Sequence, residues 1–246
     1  MNERKLNETI SIDCVIFGFD FEKLNVLVVD RKLEQDGTVV IDDKTLTGNH
    51  IYEDEDIDIA ARRILFDLTG LNNIYLEQFS VFGTLERTQR PKDQLWIKAS
   101  GRDPQTRIIS IGYVALLTKR DVVLEWKGRN VQWIPVDEIT DLAFDHMTIL
   151  QSALKYIRHK IELEPKIGFE LLPEKFTLSQ LQSMFQVVFG TQFDKRNFRR
   201  KALNMPYISA LDEKQVGKTN KPAQLFAFDS KRYQKAYRAE SIGQIL

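Results

Sequence analysis

The chain has almost no cysteine, no long apolar run and no net charge. Cys14 is its one cysteine among 246 residues, so no intrachain disulfide can form and no thiolate metal cluster can be built. Cys14 lies in the apolar run 14–17 and is expected to be a packed core residue rather than a nucleophile. No apolar stretch approaches the roughly 18 residues that a bilayer-spanning helix requires. The start MNERKLNETI lacks the apolar centre of a signal peptide. No membrane partner is expected, and the expected location is the cytoplasm. Lys+Arg and Asp+Glu number 35 each, yet this balance conceals a division along the chain. Residues 165–246 hold 14 Lys+Arg against 7 Asp+Glu, which leaves 21 against 28 for residues 1–164. The two parts carry +7 and −7, and such asymmetry points to a polyanion as partner of the C-terminal part only.

What is present reads as a soluble globular protein, 43% apolar and 28% charged. Its length suits one or two domains. Residues 9–31 form two apolar runs around Phe21–Lys23, with Asp20 and Asn25 supplying turn chemistry, the pattern of a β-hairpin. From Asp56 to Leu68 the apolar residues Ile57, Ala60, Ala61, Ile64, Leu65 and Leu68 recur at helical spacing, and Thr69-Gly70 makes a good stop. Strand-like runs follow at 74–85, 108–117 and 131–134, then a helical pattern over 146–161. A mixed α/β domain over residues 1–164 is expected, and Glu162–Gly168, with Pro165, is the best candidate boundary.

Residues 165–246 differ in pattern. Thr177 can cap a helix over 178–189 that ends at Gly190, and Asp194 can cap a second one, KRNFRRKALN. Two short helices joined by a tight glycine-containing turn make a helix-turn-helix. Tyr207–Ala210, the polar loop DEKQVGKTNK and Leu225–Phe228 then read as two strands around a basic tip. In the second helix Lys195, Arg196, Asn197, Arg199, Arg200 and Lys201 fall within seven residues. A helix in the major groove reads base edges from its N-terminal residues, and Arg or Asn can bond G or A at two points. The remaining cations suit phosphates, and Lys218, Asn220 and Lys221 at the tip suit an adjacent phosphate or minor-groove contact. An RNA-binding module would instead expose aromatics among its basic residues, whereas Phe198 sits on the apolar side of its helix.

The segment LTGNHIYEDEDIDIAARRILFDLTGL resembles a Nudix box, whose family pattern is a glycine, a glutamate, then an arginine followed by three clustered glutamates and a late glycine. Glu55, Arg63, Leu65, Gly70 and Leu71 match it, with Asn49 in place of the opening glycine. Ile64, Asp67 and Leu68 stand where the family has its three clustered glutamates. Those positions share one helix face, which in a working hydrolase holds divalent metal against a diphosphate. With two donors replaced by aliphatic side chains, no metal, cofactor or catalysis is expected; the alternative is an active ADP-ribose pyrophosphatase. GRDPQTRIISIGYVALL, FDHMTILQSALKYIR, LLPEKFTLSQLQ, FDKRNFRRKAL and KPAQLFAFD resemble the corresponding segments of Nudix-related transcription regulators of the NrtR type. That resemblance implies an α+β chain, with a Nudix-like α/β/α effector-sensing domain over 1–164 and a winged helix-turn-helix domain over 165–246. It also implies a homodimeric, effector-responsive regulator of double-stranded DNA operators, usually a repressor. Related regulators sense ADP-ribose, and a subgroup senses sugars such as L-arabinose. The lost metal face favours the small sugar, with ADP-ribose as the alternative. Asp30, Arg31, Lys44 and Asn49 are the expected effector contacts. His146 is read as a helix-start or pocket-lining residue rather than a base, and Trp96, Trp126 and Trp133 as core or interface residues without chemistry.

Overall fold

The computed structural model describes residues 4–70, 72, 74–119, 130–215 and 222–243, without the side chains of 68–69 and 238–243. Leu71, Trp126, Lys218, Asn220 and Lys221, and the side chain of Leu68, therefore lie outside the described residues. The chain forms two compact units, residues 1–18 with 25–157 and residues 19–24 with 158–246.

The first unit is built on a six-stranded sheet. Its strands are β1 (Leu6–Phe19), β2 (Leu24–Gln35), β3 (Thr38–Tyr52), β4 (Tyr75–Phe82), β5 (Ile109–Thr118) and β6 (Val131–Pro135), in the order β4-β5-β1-β3-β2-β6. The turn between β1 and β2 forms because the Asp20 carboxylate accepts from the backbone N–H groups of Glu22 and Lys23 at 3.1 and 2.8 Å. Asn25, expected to share in that turn, is instead a fully buried strand residue whose side-chain oxygen accepts from Lys119 at 3.2 Å.

Helix α1 (Ile57–Thr69) ends on Gly70 at φ 68°, the left-handed conformation glycine adopts without strain. Its Ala60, Ala61, Ile64 and Leu65 pack with Ile12, Cys14, Ile16, Leu27, Val29 and Ile111 in one buried cluster. Cys14 is fully buried and its thiol pKa is pushed well up by burial. Ile64 is likewise core, so the first aliphatic replacement in the box serves packing. Helix α2 (Pro91–Ala99) and the part of helix α3 (His146–Leu163) up to Ile157 complete the unit, α3 burying Ile149, Leu150, Ala153 and Ile157. Neither β3 nor α2 is anticipated by the sequence patterns above, and α3 runs through the start of the expected boundary segment.

In the second unit β7 (Lys175–Phe176), β8 (Ile208–Lys214) and β9 (Gln224–Phe228) form a sheet in the order β7-β9-β8. Helix α4 (Leu178–Phe189) starts at a full capping box: Thr177 accepts from the Gln180 N–H while the Gln180 side chain accepts from the Thr177 N–H. It stops at Gly190, φ 64°. Helix α5 (Lys195–Leu203) starts at Asp194, whose carboxylate accepts from the Asn197 N–H at 2.8 Å. Helix α6 (Ser230–Gly243) follows the β8–β9 hairpin. Phe169 and Phe228 stack at 4.5 Å, and Phe176, Leu181, Met184 and Val188 are buried. No helix among the described residues is long and apolar enough to cross a membrane.

Candidate effector cavity and DNA-reading helix

A cavity of about 560 Å³ opens in the first unit. Strand pairing assembles its wall, setting Asp13 of β1 opposite Gly48 of β3, Ile12 opposite Asn49 and Ser11 opposite His50. β2 brings Asp30 and Arg31, paired with Lys44 and Asp43 of β3. Of the four expected contacts, Asp30, Arg31 and Asn49 line the cavity. Lys44 is not among the lining residues and pairs with Asp30 at 3.4 Å. Asp30 also accepts from Asn130 at 2.5 Å and Gln132 at 2.6 Å.

Arg31 is 1% exposed and belongs to a closed ring of ion pairs. Going round it, Arg31 meets Asp43 (2.7 Å), Asp43 meets Lys92 (2.8 Å), and Lys92 meets Asp141 (3.3 Å). Asp141 meets Arg90 (3.1 Å), Arg90 meets Asp93 (2.7 Å), and Asp93 meets Arg31 (2.7 Å). Three cations balance three carboxylates and tie α2 to β2 and β3. Burial alone would raise the Asp43 pKa, but hydrogen bonds from Arg31 and Lys92 outweigh it and leave the carboxyl below its ordinary value. The Arg31 guanidinium lies 5.5 Å from the Trp96 ring and 4.8 Å from Phe144. Its Nη1 has no hydrogen-bond partner among the described residues.

The inner end of the cavity is polar and buried. Ser110 donates to Asp13 Oδ2, and Arg87 Nη2 lies 3.5 Å from the same oxygen. Arg87 also grips Asp145 through two hydrogen bonds of 3.2 and 3.0 Å. His146 Nδ1 accepts from the Leu46 N–H at 3.0 Å, which places the ring proton on Nε2, 3.5 Å from Asp13 Oδ1. Burial pushes the His146 pKa below its ordinary 6.5, so the ring is neutral at pH 7. The sequence points to His146 as a pocket residue but not to Asp13, Arg87 or Trp96, all of which line the cavity.

The box residues pair with each other. Arg63 donates to Glu55 through Nε and Nη2, both at 2.7 Å, and Glu55 is 1% exposed. The Arg63 hydrogen bond chiefly holds the Glu55 carboxyl below its ordinary range. Asp67 lies 3.7 Å from the same guanidinium. Among the described residues no three His, Cys, Asp or Glu side chains gather where they could hold a metal ion. With Ile64 buried and Glu55 taken up by Arg63, the donor set does not fit the divalent metal of a Nudix hydrolase.

In the second unit Lys195, Arg196, Asn197, Arg199, Arg200 and Lys201 are all exposed. Phe198 faces inward, 6.1 Å from Phe185 and 6.0 Å from Phe193, and Ala202 is buried. Arg196 and Arg200, one turn apart, project from the opposite face. Lys214 pairs with Gln224 toward the tip of the β8–β9 hairpin.

Residues 168–228 match the family described as the NrtR DNA-binding winged helix domain. The chain is 25% identical over 229 residues to the ADPR responsive transcriptional repressor NtrR of Acinetobacter baylyi, covering 91% of this chain and 83% of that one. Shewanella oneidensis NrtR, solved in complex with a 27mer DNA, shares the fold at a TM-score of 0.69 and 23% identity, covering 92% of this chain and 95% of that one. A MutT/nudix family protein from Enterococcus faecalis shares it at 0.64 and 17%, covering 94% and 90%. Residues 168–228 thus form an NrtR-type DNA-binding winged helix, and the chain as a whole is similar in sequence and fold to Nudix-related transcription regulators of the NrtR type.

Proposed function

We propose that the chain is a homodimeric transcription repressor, acting in the cytoplasm, whose residues 165–246 bind a double-stranded operator and whose residues 1–164 hold the effector that sets operator affinity. The observation that carries this reading is α5: a capped helix packed on α4 through Phe198 and Ala202, with its cations and Asn197 turned outward. A homodimer follows from the pairing of two-fold proteins with palindromic half-sites.

The effector we infer is a nucleotide sugar of the ADP-ribose class. Its support is the ADP-ribose responsiveness in the name of the Acinetobacter relative and a cavity of about 560 Å³, larger than a pentose needs and within the range of small-molecule sites. This shifts the balance away from the sugar that the sequence favours. An L-arabinose-sized effector is the second reading. It is favoured by the pairing of the lining cations Arg31, Arg63 and Arg87 with carboxylates, which weakens any grip on a diphosphate.

The domain is inferred to bind its ligand without cleaving it, since its donor set does not suit a divalent metal. In a thermal-shift series, the effector at about 100 times its dissociation constant adds about 2.7 kcal/mol of stability, and ADP-ribose is expected to give the larger shift. Incubation with ADP-ribose and Mg²⁺ or Mn²⁺ should leave the nucleotide intact. Metal-dependent turnover, or no shift with either ligand, contradicts the reading.

A further inference from the structure

We propose that the inner end of the cavity recognises the hydroxyl groups of a sugar ring, with Asp13 as principal acceptor, and rejects phosphate. The inference rests on the cavity being the effector site and names which end of the ligand goes deepest.

Charge decides the point. One guanidinium, Arg87, faces two carboxylates, Asp13 and Asp145, while His146 is neutral. The inner end therefore holds one excess negative charge, unlike the balanced ring around Arg31. A phosphate brought there would meet a carboxylate in a region screened from water, where like charges repel strongly. A hydroxyl supplies what a carboxylate lacks, a donor.

Asp13 is positioned to accept. Its Oδ2 already takes the Ser110 hydroxyl and faces Arg87, but its Oδ1 has His146 Nε2 only at 3.5 Å. Acceptor capacity remains on that oxygen. Space for it exists because residue 48 is glycine: a Cβ there would stand 2.3 Å from Asp13 Oδ1. Thr88 and Thr45 also line the cavity; the Thr88 hydroxyl can donate or accept, while the Thr45 hydroxyl donates to His146 Nδ1 at 2.9 Å and is left to accept. Of the cationic lining residues outside this inner cluster, Arg31 is buried and held by Asp43 and Asp93, while Lys32, Arg63 and Arg102 are partly or fully exposed. An ionic part of a ligand is thereby directed outward while its neutral, hydroxylated end points in.

Titration calorimetry on the full chain with ADP-ribose, ADP and L-arabinose tests this. ADP keeps the phosphates but lacks the terminal sugar. The expected result is that a sugar-ended ligand binds and that ADP binds at least ten-fold more weakly than that ligand. Asp13→Asn should lower affinity for the sugar-ended ligand ten-fold or more and leave any ADP binding unchanged. ADP binding as tightly as ADP-ribose, or an unchanged sugar affinity in Asp13→Asn, overturns the inner-end assignment and leaves the cavity an effector site. Binding of none of the three overturns the effector reading together with it. Should Asp13→Asn fail to fold, the comparison of ADP with ADP-ribose on the unaltered protein still decides.

Discussion

At Gly48 a single added methyl group would stand 2.3 Å from Asp13 Oδ1 and 2.7 Å from the Ile12 carbonyl oxygen. Backbone on one side and a buried carboxylate on the other leave little to yield, so Gly48→Ala should cost about 1–3 kcal/mol. Chemical denaturation checks the cost, and an unchanged midpoint would show that Asp13 moves freely. His146 gives a second residue-scale expectation. Burial holds its pKa below 6.5 in the folded protein, and burial depresses His50 as well. The unfolded chain takes up these protons as pH falls through 6.5 while the folded chain does not. Their contribution is therefore complete above that pH and is lost below it, at up to about 1.4 kcal/mol per pH unit for each ring. Unfolding free energy measured from pH 7.5 to 5.5 should fall, less steeply in His146→Gln; stability that rises on acidification contradicts the depressed pKa of the two buried rings.

Among the elements, those with one dry face were legible and those stabilised by ion pairs were not. Helix α1 shows its stripe and its glycine stop, and α4 its capping residue. Strand β3 carries Asp42, Asp43 and Lys44 in mid-strand, which looks unlike a strand until Arg31 and Lys92 are seen to meet Asp43. Helix α2 sets Leu95, Trp96 and Ile97 side by side instead of at helical spacing, and buries Asp93 in the ring of ion pairs. Its readable signal was Pro91 at the first turn. Asp13, Arg87 and His146 come from β1, a 3-10 turn over Leu85–Thr88 and the start of α3, so no local pattern joins them. An acid inside the apolar run ISIDCVIFGF was the one available hint.

For α5 the outward placement of Arg196 and Asn197 leads to a specific expectation. Replacing either by Ala should cost about 1–3 kcal/mol on the cognate operator and relax its sequence preference. Replacing Lys218 or Lys221 should weaken all duplexes alike and lower the salt slope by about one unit for each phosphate no longer neutralised. Fluorescence anisotropy across a salt series separates the two effects. Variants at 196 and 197 that bind operator as the unaltered chain does would remove α5 from the reading role.

At the scale of the whole molecule the charge division read from the sequence coincides with a division of chemistry. The acidic part holds ion pairs around a cavity, and the basic part holds a helix with cations on its outward face. Neither half alone makes a regulator, because regulation requires that ligand in one change affinity at the other, a coupling typically worth about 1–3 kcal/mol. The most direct test is operator affinity of the full chain, measured by anisotropy at fixed salt, with and without saturating ADP-ribose and, separately, L-arabinose. The account predicts sequence-specific binding that shifts by about 5–150-fold with one of these ligands, and loss of that shift in Asp13→Asn with ligand-free DNA affinity retained. Binding that is equal on all duplexes and indifferent to both ligands would contradict it.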